Sequence, residues 1–426
     1  MADVVLHVAY DGLAGDPDAQ LVYRLLGGVY PGVDLSVASA AALADLPLNK
    51  TARALETLEA ARLVEAAVAG GGQFRYSMHD KLRGHAAALC LATDSEPDRK
   101  AALYRVADRY RLVGVAAQKR VNPNRWYLGP DFDQPPVMDF GARASALCWM
   151  EDERDNVRAL IRATNDFGLP TMTHRLVETQ WSRYTAHRAL ADCIEDHTLG
   201  YEAACADGDV LAQARMDSGC GWGYLGLGEY KAALRFASRA LGVEEARDHT
   251  IGEATAREVI GTAHLALGEL ADAESMFRRN VEIFTEIDRP RGAALNTRHL
   301  GEVAHAARRY PEAIDHYGKA LEFWDQFEEE GYQKARTRNM LARTLLALDV
   351  VDEAADEVAI ALPITKAEDA RNEQAICQVL LADIAAHRGQ REQQRSHLDA
   401  ALDLFTRIGM NNDAEQIKAR LDALEH

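Results

Sequence analysis

The feature that most constrains this chain is a period. The segments YLGLGEYKAAL, HLALGELADAE, HAARRYPEAID, LLALDVVDEAA and AAHRGQREQQR align so that Gly228, Gly268, Arg308, Asp349 and Gly389 recur at intervals of 40, 40, 41 and 40 residues. Seven residues before each stands a small residue: Gly221, Gly261, Gly301, Ala342 or Ala382. Five residues after each stand Ala233, Ala273, Ala313 and Ala354, with Gln394 the exception. This spacing predicts two antiparallel helices per unit, with small side chains where the first helix crosses the second and apolar ones between units.

The pattern resembles the tetratricopeptide family in a longer, 40-residue form. Arg308 and Asp349 stand where that family usually has glycine, so looser turns are expected there. Forty residues before Gly228 and Ala233 lie Arg188 and Cys193, inside QWSRYTAHRALADCIEDHTLGYEAA, which reads as a degenerate first repeat beginning near Pro170. The closing NNDAEQIKARLDALEH reads as a polar capping helix. The expected fold is therefore all-α: about six helical hairpins and a cap over 171–426, preceded by a domain at 1–92 and a connector at 93–170.

Composition narrows the function classes. With 426 residues, 48% of them hydrophobic and 27% charged, the chain can bury a substantial core in two or three domains. Its formal charge of -18 repels phosphate backbones unless basic residues are gathered on one face. The six cysteines are scattered without paired short spacings, which suggests neither a disulfide framework nor a zinc ribbon. MADVVLHVAYDGL lacks a basic leader and no run of 18 apolar residues occurs, so a cytoplasmic location is expected.

Residues 1–92 read as helix (DAQLVYRLLGG), helix (SVASAAALADL), helix (NKTARALETLEAARL), two short strands flanking Gly70, Gly71 and Gly72, then another helix. Three helices followed by a glycine-turned hairpin predict a winged helix, with Ser36 and Asn49 as N-caps. Its seven basic and ten acidic residues, with Glu56 and Glu59 on the third helix, favour a protein-facing role over groove binding.

The run from His7 to Leu89, including QLVYRLLGGVYPGVDLSV, ALETLEAARLVE and FRYSMHDKLRGHA, resembles the winged-helix module of STAND nucleotide-switch ATPases. Among these it is most similar to actinobacterial antibiotic-regulatory proteins, in which tetratricopeptide repeats follow that module. WMEDERDNV, at Trp149 to Val157, also recurs in those relatives, where it begins the helix leading into the repeats. Met78, His79 and Asp80 match the family's M-H-D motif, so the resemblance implies that His79 senses bound ADP. No G-x-x-x-x-G-K-[ST] loop occurs, however, and the one Gly-Lys pair, Gly318-Lys319, precedes Ala320 in a repeat. Without that loop His79 reads as a hydrogen-bonded residue at the hairpin-to-helix junction, and Met78-His79-Asp80 as a vestigial sensor.

The connector holds a basic, aromatic stretch. Between Arg99 and Arg125 eight basic residues stand against Asp108 alone, and Arg105, Arg109, Arg111, Lys119, Arg120, Arg125 and Trp126 are its candidate contacts. Such a stretch suits RNA, a phosphorylated ligand or an acidic partner, or it pairs internally with acids such as Glu151, Asp152 and Glu153.

No H-E-x-x-H, G-x-S-x-G or Cys-x-x-Cys motif occurs, so no enzyme, metal or cofactor is expected. His187, Cys193, His197 and Cys205 cluster without a familiar zinc spacing. Gly221, Gly223 and Gly226 spell a dinucleotide fingerprint, but in repeat register with no strand before it.

By the tetratricopeptide resemblance the first helix of each repeat lines a concave groove. The residues projecting there are Arg215, Trp222, Glu258, Arg298, Glu302, His305, Arg336, Asn339 and Arg343. Of these, Arg298, Arg336 and Arg343 with Asn339 and His305, in adjacent repeats, suit an extended peptide carrying carboxylates, with a merely solvated groove as the alternative. The expected function is regulation or scaffolding through a protein or peptide partner. The alternatives are a biosynthetic-pathway enzyme or accessory protein holding a small molecule in the solenoid, and a DNA-binding winged-helix regulator.

Overall fold

The computed structural model describes residues 2–68, 74–327 and 330–425; Gly70, Gly71 and Gly72 of the expected hairpin lie outside these. Among the described residues the chain is helical apart from three short strands. It divides into two compact units, one of 1–185 with 191–216 and one of 186–190 with 217–426.

The first unit opens with α1 (Ala2–Asp11), α2 (Pro17–Gly28), β1 (Asp34–Ser36), α3 (Val37–Ala44), α4 (Leu48–Ala60), β2 (Glu65–Val68), β3 (Phe74–Ser77) and α5 (Asp80–Thr93). Asp16 starts α2 by accepting from the Ala19 amide at 2.9 Å, with Pro17 at the first helical position. Ser36 caps α3 as expected, accepting from Ser39. Asn49 does not cap α4, because Pro47 occupies that place and Asn49 falls in the first turn. The strands form an antiparallel sheet in the order β1-β3-β2, with Leu35 and Ala66 both opposite Tyr76. β1 was not expected, because its three residues carry no alternation long enough to show.

Next come α6 (Glu96–Val121), a 3-10 turn (Pro130–Asp133), α7 (Arg143–Asp152), α8 (Arg154–Asp166), α9 (Pro170–Glu178), α10 (Trp181–Ala186) and α11 (Leu190–Asp207). WMEDERDNV spans the break between α7 and α8 at Glu153 rather than starting one helix. Glu153, only 4% exposed, binds Arg75 and accepts from Tyr110 at 3.0 Å and Asn156 at 2.7 Å. Arg75 also reaches Asp34 at 2.6 Å, so this buried carboxylate ties the sheet to α6 and α8. Removing one partner of such a group leaves the others unpaired in the core.

The second unit is built from helical hairpins that continue past α12 (Val210–Gly226): α13 (Tyr230–Ala246), α14 (Thr250–Leu267) with α15 (Leu270–Glu286), α16 (Pro290–Ala306) with α17 (Tyr310–Trp324), α18 (Gly331–Ala347) with α19 (Val351–Ala367), α20 (Arg371–His387) with α21 (Arg391–Arg407), and α22 (Asn411–Glu425). Ala233, Ala273, Ala313 and Ala354 are fully buried, as the small-residue pattern requires. Gly301 is needed for the same reason, since a Cβ there would lie 2.5 Å from the Tyr317 ring. The three fingerprint glycines all sit inside α12.

The turns are tighter than expected. Arg308 (φ 60°) and Asp349 (φ 61°) adopt the same left-handed conformation as Gly228, Gly268 and Gly389. The turns between hairpins do likewise at Asp248, Asp288, Asp369 and Gly409, so a left-handed residue recurs at 20-residue steps from Gly228 to Arg308 and again from Asp349 to Gly409. Arg188, one 40-residue period before Gly228, has φ 50° as well.

Candidate functional site

Within the second unit the first helices touch one another, α14 with α16, α16 with α18 and α18 with α20, more than the second helices do. They therefore line the shorter, inner side of the stack. Glu258 lies on α14, Arg298, Glu302 and His305 on α16, and Arg336, Asn339 and Arg343 on α18.

At the centre Arg298 is 2% exposed and bound to Glu302, with His299 3.2 Å from its other terminal nitrogen. Burial opposes its charge and the nearby Arg336 adds to that, so its pKa falls below the ordinary arginine range. Burial also opposes the charge on Glu302, yet His299 and Arg298 outweigh it and hold the carboxyl far below its usual range. His299 stacks on Phe277 with ring centres 4.7 Å apart. Arg298 thus forms the floor of the face rather than a contact open to a partner, contrary to what its position in the repeat suggested.

Asn339 is similarly occupied, donating to Glu373 at 3.0 Å and accepting from the Cys377 thiol at 3.1 Å. His305 bonds the Thr344 hydroxyl at 2.9 Å, and burial followed by the nearby Arg343 charge lowers its pKa. Glu258 lies 3.9 Å from His299.

The arginines of these inner helices separate into two groups. Arg257, Arg291, Arg298, Arg338 and Arg371 each form ion pairs. Arg336, half-buried, and Arg343, exposed, form neither an ion pair nor a hydrogen bond among the described residues. Burial works against the charge of Arg336, but the Tyr332 hydroxyl, Glu302, Glu373 and Glu258 overcome it and raise its pKa. Sequence could name these arginines; only the positions of the carboxylates show which remain unspent.

Arg215 and Trp222 of the expected groove both lie on α12. Arg215, in the first unit, is buried, 3.4 Å from Glu178 and stacked 4.3 Å over Trp126. Trp222, in the second, is half-buried.

The basic stretch of the first unit is largely consumed internally, though chiefly by backbone carbonyls rather than by Glu151 to Glu153. Arg105 donates to Ala42 and Leu43 carbonyls, Lys119 to those of Phe132 and Gln134, and Arg120 to that of Gly141. Arg111 pairs with Asp108 and Asp131, and Arg125 lies 4.1 Å over Trp181. Arg109 is half-buried, and burial lowers its pKa.

The M-H-D residues diverge. Met78 is buried, whereas His79 and Asp80 are exposed, and His79 holds the N-cap position of α5 without the side-chain hydrogen bond expected of it. Met78 lines a cavity of about 10 Å³ with Leu26, Tyr30, Asp34, Tyr76 and Arg83. That is room for at most about one water molecule.

Of the sulfur and imidazole cluster, Cys193 and His197 adjoin at 3.4 Å, both buried, while Cys205 is exposed. His264, Glu269 and Asp272, which no sequence motif marks, bring their ligand atoms within 4.8 Å of one another. Glu269 is the N-cap of α15 and Asp272 sits in its first turn, where carboxylates offset the helix dipole.

Residues 291–366 match the tetratricopeptide repeat family model, which defines the class to which the hairpins α16 to α19 conform. Among curated proteins the chain is similar to the regulatory protein AfsR of Streptomyces griseus, 28% identical over 313 residues. That alignment covers 72% of this chain and 27% of the relative. The AfsR of Streptomyces coelicolor is 27% identical over 323 residues, covering 64% and 32% respectively. The chain thus spans about a third or less of the length of these curated relatives. Among solved structures, a signal transduction ATPase with a tetratricopeptide repeat sensor from Pyrococcus horikoshii gives a TM-score of 0.44 at 15% identity, over 96% of this chain and 59% of that one. A Rap protein complexed with competence and sporulation factor gives 0.49 at 11% identity, over 76% and 98%. No helix among the described residues is long and apolar enough to cross a membrane.

Proposed function

We propose that this chain is a non-enzymatic regulatory or scaffolding protein that binds a protein or peptide partner in the cytoplasm through the inner face of its helical repeats. The observation that carries this reading is the pair Arg336 and Arg343, left without a bonded partner on the inner helices, whose five other arginines are all paired. Unspent guanidinium donors on a helix are suited to bidentate recognition of acceptors on a partner.

The N-terminal residues 1–92 support a winged-helix module in this reading. Three helices, α2 to α4, precede a hairpin whose inner strand also pairs with β1, the topology expected of such a module. Its net negative charge and the internal consumption of the basic stretch favour a protein-facing role over nucleic acid. Similarity to AfsR over most of this chain supports a regulatory setting.

The test is affinity capture from native cytosol with the full chain, followed by isothermal titration with the purified partner. The Arg336→Ala/Arg343→Ala variant is expected to lose a partner that wild type retains. Retention of every specific partner by that variant would refute the inner-face reading.

A further inference from the structure

We propose that the inner face of the second unit takes an extended peptide whose main chain crosses Arg336 and whose acidic side chain, about three residues further along, is held by Arg343. This rests on the partner-binding reading above and adds the ligand's chemistry and register.

The two arginines face different electrostatic surroundings. Around Arg336 stand three carboxylates, Glu258, Glu302 and Glu373, against its own charge and that of Arg298. A ligand carboxylate entering there meets a local excess of negative charge in a half-buried setting, where such repulsion is poorly screened. A neutral acceptor such as a peptide carbonyl takes the same N–H donors without that penalty. The three acids therefore hold Arg336 in position while leaving its donors to the main chain of a ligand.

Arg343 forms no ion pair among the described residues. It acts electrostatically on His305 and Tyr317, neither of them an anion, and it is exposed. A carboxylate arriving there gains a charge-assisted pair with a guanidinium that no carboxylate of the described residues already binds.

Geometry sets the register. Seven residues of helix bring Arg343 back onto the face of Arg336 and roughly 10.5 Å along the axis. An extended chain covers that length in about three residues, at roughly 3.3 Å each. Asn339, between them, is buried and engaged with Glu373 and Cys377, so it contributes to the floor.

The probe is a fluorescein-labelled, C-terminally amidated octapeptide positional library, each position fixed in turn as Glu, Gln or Lys, titrated against the full chain by fluorescence polarisation. Wild type is expected to prefer Glu over Gln about tenfold at one position, as one charge-assisted hydrogen bond provides. Arg343→Gln should bring that ratio close to one while weaker binding persists. Arg336→Lys keeps the charge that balances the three carboxylates but loses the planar donor fork, and should weaken Glu and Gln pools alike with the ratio intact. A preference that survives Arg343→Gln, or disappears in Arg336→Lys, overturns the assignment while leaving the groove a binding site. Failure of every pool to bind wild type would instead sink the partner-binding reading itself, and this proposal with it.

Discussion

His197 shows what burial does to a single titratable side chain here. It is 4% exposed on α11, its Nδ1 is 2.8 Å from the Cys193 carbonyl, and its ring lies edge-on to Trp181. Burial pushes its pKa down from 6.5 to about 4, with the Arg215 and Arg125 charges adding to the effect against the Cys193 carbonyl. The folded chain therefore keeps this imidazole neutral at a pH where the unfolded chain protonates it. Stability from this group is full above about pH 6.5 and is lost as pH falls toward 4. The depressed Asp192 carboxyl, whose burial is outweighed by Arg154 and Arg183, acts in the same direction at lower pH. Urea unfolding followed by tryptophan fluorescence should show a first unit markedly less stable at pH 5 than at pH 7. His197→Gln should flatten that difference, and an unchanged pH dependence in the variant would remove His197 as its source.

At the scale of the element, the turns were legible in position but not in conformation. Gly228, Gly268 and Gly389 announced left-handed turns because glycine pays no Cβ penalty there. Arg308 and Asp349 concealed the same geometry, and the recurrence at Asp248, Asp288 and Asp369 was invisible because aspartate is common elsewhere. A non-glycine residue in this region costs about 1 kcal/mol or more. Arg308→Gly and Asp349→Gly should accordingly each stabilise the second unit, by about 1 kcal/mol of relieved strain less the greater freedom glycine gives the unfolded chain, and so raise its melting temperature. Destabilisation by both would mean that the Arg308 and Asp349 side chains contribute more than their backbone strain. The inner-face candidates were legible in the same partial way. Register placed Arg298, Arg336 and Arg343 together, but that Glu302 lies one helical turn from Arg298 and binds it depends on side-chain geometry that a repeat pattern does not encode.

For the whole molecule, repeat stacking is the argument that connects sequence to function. Each hairpin buries its alanines against its mate and presents its first helix inward, so residues 40 apart become neighbours on one surface. The first unit uses its charges differently, locking Glu153, Arg75 and Asp34 beneath its sheet and spending its basic stretch on its own carbonyls. What remains unspent lies chiefly on α18. The central claim is that partners engage the inner helices. Site-specific photo-crosslinking tests it most directly, with a benzophenone amino acid placed at Thr262 or Ala347 on the inner helices, one turn beyond Glu258 and Arg343, or at Arg278 or Lys319 on the outer ones. In native extract the inner positions should capture a discrete partner that unlabelled chain competes away, and the outer positions should not. Capture from Arg278 and Lys319 with none from Thr262 and Ala347 would contradict the account.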